Sequence, residues 1–231
     1  MSHFDENGLI ISDSGGGAPP GSYGDSMAET GRYFCLFRAA NPNVELDQSV
    51  LARFKTSTGS YVRHPSLILY NLDKSWLPSS DQMLPYFLAC PRAEQEKIFD
   101  SIMNAGWRTP DGNIGLPTLI ATAFSRQLGR AIWQTDWPVL LEAMILRFLP
   151  FRWSDDKKWF ERASLSATCK DYLNFAILLL TIDKKDDTMI TWLARKVISP
   201  EDTLKAVVEY YKDEPIKGVD QVGLWQKVLI K

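Results

Sequence analysis

The apolar run from Tyr172 to Ile182 constrains the fold more than any other part of this chain. It is 11 residues long and contains Asn174. A helix needs about 20 apolar residues to cross a bilayer, so a run of this length belongs in a protein core. Residues 138–149 are also apolar nearly all round. A helix without a polar face sits centrally, with other helices packed around it. The expectation is a multi-helix array with buried helices at its centre.

Proline and glycine punctuate the rest. A first helix is expected over about 25–38, stopping before Asn41-Pro42, because a residue that precedes proline is pushed out of the α region. A second is expected over about 45–55. Thr56 to Gly59 reads as a turn, and Ser60 to Pro65 as extended. Leu67 to Leu72 reads either as a strand or as a short helix. Ser79 or Ser80 caps a helix over 81–89, and Pro91 suits the first position of a helix that continues to about Asn104. Gly106 to Gly115 is a loop by composition. Further helices are expected at about 116–128, 136–149, 155–163, 166–182, 187–197, 200–212 and 219–229. Asp136-Trp137-Pro138 and Ser199-Pro200-Glu201-Asp202 each read as an N-cap with proline just inside.

Short loops make antiparallel neighbours. The expected fold class is therefore mainly α, with about ten helices in antiparallel hairpins forming an incomplete toroid-like or compact multi-helix array. A minor extended or hairpin element is expected near 60–70. Residues 1–24, rich in Gly, Ser, Pro and Asp, are expected to be a flexible or extended N-terminal arm, with Gly8-Leu9-Ile10-Ile11 as a short strand. Residues 25–231 are expected to form a single helical domain, since no charged or low-complexity linker divides them.

Composition excludes several functions. The net charge is −2 and no Lys/Arg cluster is long enough to neutralise successive phosphates, so nucleic acid is not expected as a partner. The three cysteines, Cys35, Cys90 and Cys169, are far apart and read as buried free thiols in a reducing compartment. Two histidines, His3 and His64, cannot build a histidine-rich metal site, and no metal or cofactor is expected. There is no P-loop, no G-x-G-x-x-G after a strand, no G-x-S-x-G elbow and no H-E-x-x-H. No basic region followed by an apolar run opens the chain, and no membrane is expected as a partner, so the expected location is cytoplasmic.

Candidate chemistry concentrates in three places. In Gly24-Asp25-Ser26-Met27-Ala28-Glu29-Thr30-Gly31-Arg32-Tyr33, a helical wheel puts Asp25, Glu29, Arg32 and Leu36 on one stripe. Ser26 to Glu29 also matches a capping box, which would account for Ser26 and Glu29 without function. The second place is Tyr61-Val62-Arg63-His64, where Arg63 is an anion donor and His64 the plausible histidine base. The third is Ser80-Asp81-Gln82 at a helix start, where Asp81 could face Asp25 as a second carboxylate. Trp107 and Trp133 lie in or beside loops, where an indole face can cover the apolar face of a sugar ring.

The order Gly24-Asp25-Ser26, Thr30-Gly31, Tyr33, then Arg63-His64-Pro65, then Ser80-Asp81-Gln82, resembles a pattern in uncharacterised bacterial and phage-encoded helical proteins. Helical hairpins with polar residues and tryptophans at one set of loop ends resemble the α/α toroids of glycoside hydrolases and polysaccharide lyases. The resemblance covers roughly residues 20 to 137. Those toroids usually hold more hairpins than the roughly five that fit in this chain. The resemblance implies a protein that binds or processes a carbohydrate in one polar cleft, as a hydrolase or lyase on a polysaccharide. Asp25 and Asp81 would be acid and base, with His64 or Tyr61 as base in a lyase. Glu29, Arg32, Tyr61, Arg63, Gln82, Trp107 and Trp133 would bind substrate. The alternative expectation is a non-enzymatic interaction or assembly protein, phage-encoded, with a protein partner.

Overall fold

The computed structural model describes residues 3–12, 24–65, 78, 80–104, 166–181, 195, 198–212 and 215–230. The fold is mainly helical. Among the described residues there is one two-stranded hairpin, β1 (His3–Phe4) and β2 (Ile10–Ile11). Seven helices follow: α1 (Ser26–Ala40), α2 (Ser49–Ala52), α3 (Ser80–Ala89), α4 (Arg92–Asn104), α5 (Ser166–Thr181), α6 (Pro200–Tyr211) and α7 (Gln221–Leu229). No helix among the described residues is long and apolar enough to cross a membrane.

The N-terminal hairpin is antiparallel, pairing His3 with Ile11 and Phe4 with Ile10. Its turn is built by Asp5, whose Oδ1 accepts from the backbone N–H of Asn7 and of Leu9, both at 2.8 Å. Gly8 takes the left-handed conformation, φ 76°, that closes this turn without a Cβ clash. The strand is then stitched to α1. Ile10 N–H donates to Thr30 Oγ1 at 3.0 Å and Ser12 N–H donates to Ser26 Oγ at 3.2 Å. Ser26 and Thr30 stand one helical turn apart on the same face, so they satisfy two backbone donors at this strand edge, where the Ser12 carbonyl also accepts from Asp25 N–H at 3.1 Å. Leu9 and Ile10 are consequently buried in the core.

Helix α1 is the hub. It packs against α3, α5, α7 and β2. Its apolar residues Met27, Phe34 and Leu36 are buried, and so is its polar stripe. At the α1–α3 crossing a Cβ on Gly31 would lie 2.5 Å from the carbonyl carbon of Pro85, so only glycine lets the two backbones approach this closely. Helix α5 bears out the expectation of a central helix: Tyr172 to Asn174 and Ala176 to Leu178 are buried, against α1, α3 and α6. Ser199 caps α6 as expected, its side chain accepting from Asp202 N–H at 3.0 Å with Pro200 just inside.

One helix is shorter than expected. The segment 45–55 keeps one α-turn, Ser49–Ala52. The Asp47 carboxylate accepts from Ser49 N–H at 2.9 Å, which sets the start. Beyond Ala52 the bonds run three residues back, Phe54 N–H to Leu51 and Lys55 N–H to Ala52, a tighter winding that does not propagate. The chain then turns at Thr56 to Gly59 (φ 85° at Gly59) and returns through a single Lys55–Tyr61 bridge. Only the start of the extended element expected near 60–70 is met, because the chain bends at Arg63 and His64; residues 66–70 lie outside the described residues. So do the helices expected at 116–128, 136–149, 155–163 and, Arg195 apart, 187–197.

Candidate functional site

The mouth of α1 gathers polar groups from three parts of the chain. Asp25 precedes the first helical residue and is 2 % exposed. Its side chain makes no capping bond to α1. Instead the Gln82 side-chain amide, from α3, donates to Asp25 Oδ1 at 3.2 Å and to the Gly24 carbonyl. Met27 N–H, one of the donors a helix start leaves unpaired, donates to the Arg63 carbonyl at 3.1 Å. The segment 61–64 and the start of α3 therefore both reach the α1 mouth. Asp81 sits in the first turn of α3, beside Gln82 in sequence.

The expected capping box does not form. Ser26 Oγ is taken by Ser12 N–H, and Glu29 N–H donates to the Asp25 carbonyl at 3.0 Å. The Glu29 carboxylate turns inward. Tyr210 and Tyr211, from the end of α6, donate to it at 2.6 and 2.9 Å, and Arg32 Nη1 donates to it as well. Arg32 Nε donates to Asn174 Oδ1 on α5 at 2.9 Å, and its guanidinium lies 5.3 Å from the centre of the Tyr210 ring. Three helices are thus joined through one buried ion pair.

Electrostatics keep Arg32 and the two tyrosines in fixed states. Burial opposes the charge on Arg32, but Glu29, then Tyr210, Tyr211 and Asp25, outweigh it and hold the guanidinium further above its ordinary value. Burial, reinforced by Glu29, pushes both phenols well above theirs, so they stay protonated donors. Asn174, Tyr210 and Tyr211 were not among the residues singled out in the sequence as site candidates. Asn174 gave a signal, as the polar residue inside the apolar run; the tyrosine pair gave none.

Other candidates are placed elsewhere. His64 is buried, with Nε2 3.7 Å from Asp5 Oδ2, an ion-pair distance beyond hydrogen-bond range. Burial lowers its pKa and Asp5 pulls against that shift. His64 therefore faces the N-terminal hairpin. Tyr61 donates to Glu94 Oε1 of α4 at 2.7 Å and stacks edge-on against Tyr86, so its hydroxyl serves α4 and not the α1 mouth. Trp107 and Trp133 lie outside the described residues. Cys35 and Cys90 are free and buried, with thiols pushed up to about 11 and about 12, burial being the largest cause.

Chemically, the mouth offers two carboxylates one helical turn apart in different settings. Glu29 is matched by a guanidinium and two phenols, Asp25 by a neutral amide. No group of three or more His, Cys, Asp or Glu among the described residues could hold a metal ion. In comparisons with protein-family models, curated proteins and solved structures, nothing matched this chain.

Proposed function

We propose that the chain binds or processes a carbohydrate at the mouth of α1, with hydrolysis or lyase cleavage of a polysaccharide as the reaction. One observation carries the reading: a carboxylate, Asp25, is held almost fully buried at the mouth of α1 by an amide from α3. A carboxyl fixed by its neighbours at a helix mouth can serve as general acid or base, and polar groups from several elements around it can orient sugar hydroxyls. In this reading Asp25 is the acid and Asp81 the base. Gln82, Arg63 and Arg32 orient the ligand, and Trp107 and Trp133 are stacking platforms within an incomplete toroid of helical hairpins. His64 has less support as a base, because Asp5 faces its Nε2.

The test is Asp25→Asn, screened on a glycan array and for turnover of a polysaccharide panel. Asparagine can still accept from Gln82, so the melting temperature should stay within a few degrees while binding or turnover is lost. Unchanged binding in Asp25→Asn, or a wild-type chain that binds no glycan, overturns the reading. The second result leaves an interaction or assembly protein.

A further inference from the structure

A guanidinium in a protein core normally has its N–H groups matched, because an unmatched buried donor keeps the full cost of its lost hydration. Arg32 departs from that rule. It is 1 % exposed, and its Nε and Nη1 are taken by Asn174, Glu29 and Tyr210. Nη2 has no hydrogen-bond partner. The guanidinium is planar and its donors point in fixed directions, so Nη2 cannot swing to share the acceptors of its neighbours. Both phenol protons are already directed at Glu29.

We infer that Arg32 Nη2 recognises a neutral hydroxyl oxygen, so that the site takes a neutral sugar in preference to a uronate or a sulfated one. This rests on the hydrolase form of the function proposed above and adds the ligand's charge to it. The Glu29 carboxylate already balances the guanidinium, and the tyrosines that meet it are neutral donors. An acidic sugar would bring a further anion where water cannot screen it. A hydroxyl adds no charge. It accepts from Nη2 and keeps a proton to donate to a carboxylate oxygen.

The experiment is titration calorimetry of the full chain with paired oligosaccharides that differ in one group, a hydroxymethyl in one and a carboxylate in the other. The neutral member should bind at least about tenfold more tightly. Arg32→Lys keeps the charge facing Glu29 and removes the second Nη; it should lose about tenfold for the neutral sugar. Glu29→Gln/Arg32→Gln, which removes both charges together, is the second arm and should lose a similar factor if Arg32→Lys fails to fold. Tighter binding of the carboxylate sugar, or folded variants that bind the neutral sugar as wild type does, overturns this inference and leaves the proposed function standing. Binding of neither sugar overturns both.

Discussion

Two clusters in this protein are made of the same parts. In each, a glutamate accepts from a tyrosine hydroxyl and from a cation, and the cation lies over a tyrosine ring. In the inner one Glu29 meets Arg32, Tyr210 and Tyr211, with Arg32 over Tyr210. In the outer one Glu94 meets Lys55 and Tyr61, each at 2.7 Å, with Lys55 over Tyr61. They differ in water. The inner cation and carboxylate are 1 % and 3 % exposed, the outer ones 29 % and 20 %. Where water reaches, a lost partner is replaced by solvent; where it does not, the remaining charge is stranded. The cation type follows the same logic. Arginine's fork links α1 to α5 and α6 at once, whereas lysine supplies a single solvated contact to α4.

The comparison can be broken by substitution. Arg32→Ala leaves Glu29 buried without its counter-charge and should cost about 3–5 kcal/mol in urea unfolding. A loss as small as that of the outer lysine would show that burial is not what separates the clusters. Tyr211→Phe removes one hydrogen bond to a buried carboxylate and should cost about 1.5–3 kcal/mol, read from the shift in urea midpoint. Lys55→Ala should cost no more than about 1 kcal/mol, and the difference from wild type should shrink at about 1 M salt, where exposed charges are screened.

The smallest effect is the outer cluster's pH dependence. Burial acts to raise the Glu94 pKa, but the hydrogen bonds from Lys55 and Tyr61 outweigh it and hold the carboxyl below its usual value. A depressed folded-state pKa contributes stability that is present above the unfolded value and lost as pH falls through the folded one. Acidification below the usual carboxylate range should therefore weaken the wild type slightly more than Glu94→Gln, in melting curves taken side by side. An equal slope in the two proteins would remove the outer cluster from the comparison.

The helices were legible where their ends are set by local chemistry. Ser199 with Pro200 and the break before Asn41-Pro42 mark boundaries that the structure meets within two residues. The second helix was over-extended because Asp47 and the tighter turns after Ala52 are local competitors that an apolar pattern does not display. The same weakness affected the start of α1. Ser26 and Glu29 have the spacing of a capping box, yet each found a stronger partner far along the chain, Ser12 for one and the α6 tyrosines for the other. Of the site, the shared face of Asp25, Glu29 and Arg32 was readable from helical spacing. That Gln82 meets Asp25, and that Arg63 contributes its carbonyl at the α1 mouth, depends on how α3 and the segment 61–64 arrive there.

By itself the sequence determined that the chain would be mainly helical, where several of those helices begin, and that residues 172–174 and 176–178 would be buried. Periodicity and cap chemistry act within a few residues, and they are written in the order of side chains. Only the tertiary structure decided what lies opposite the polar stripe of α1. A stripe says which groups share a face, but the donors that meet Glu29 come from α6, more than 180 residues away, and their arrival is set by the packing of whole helices against one another.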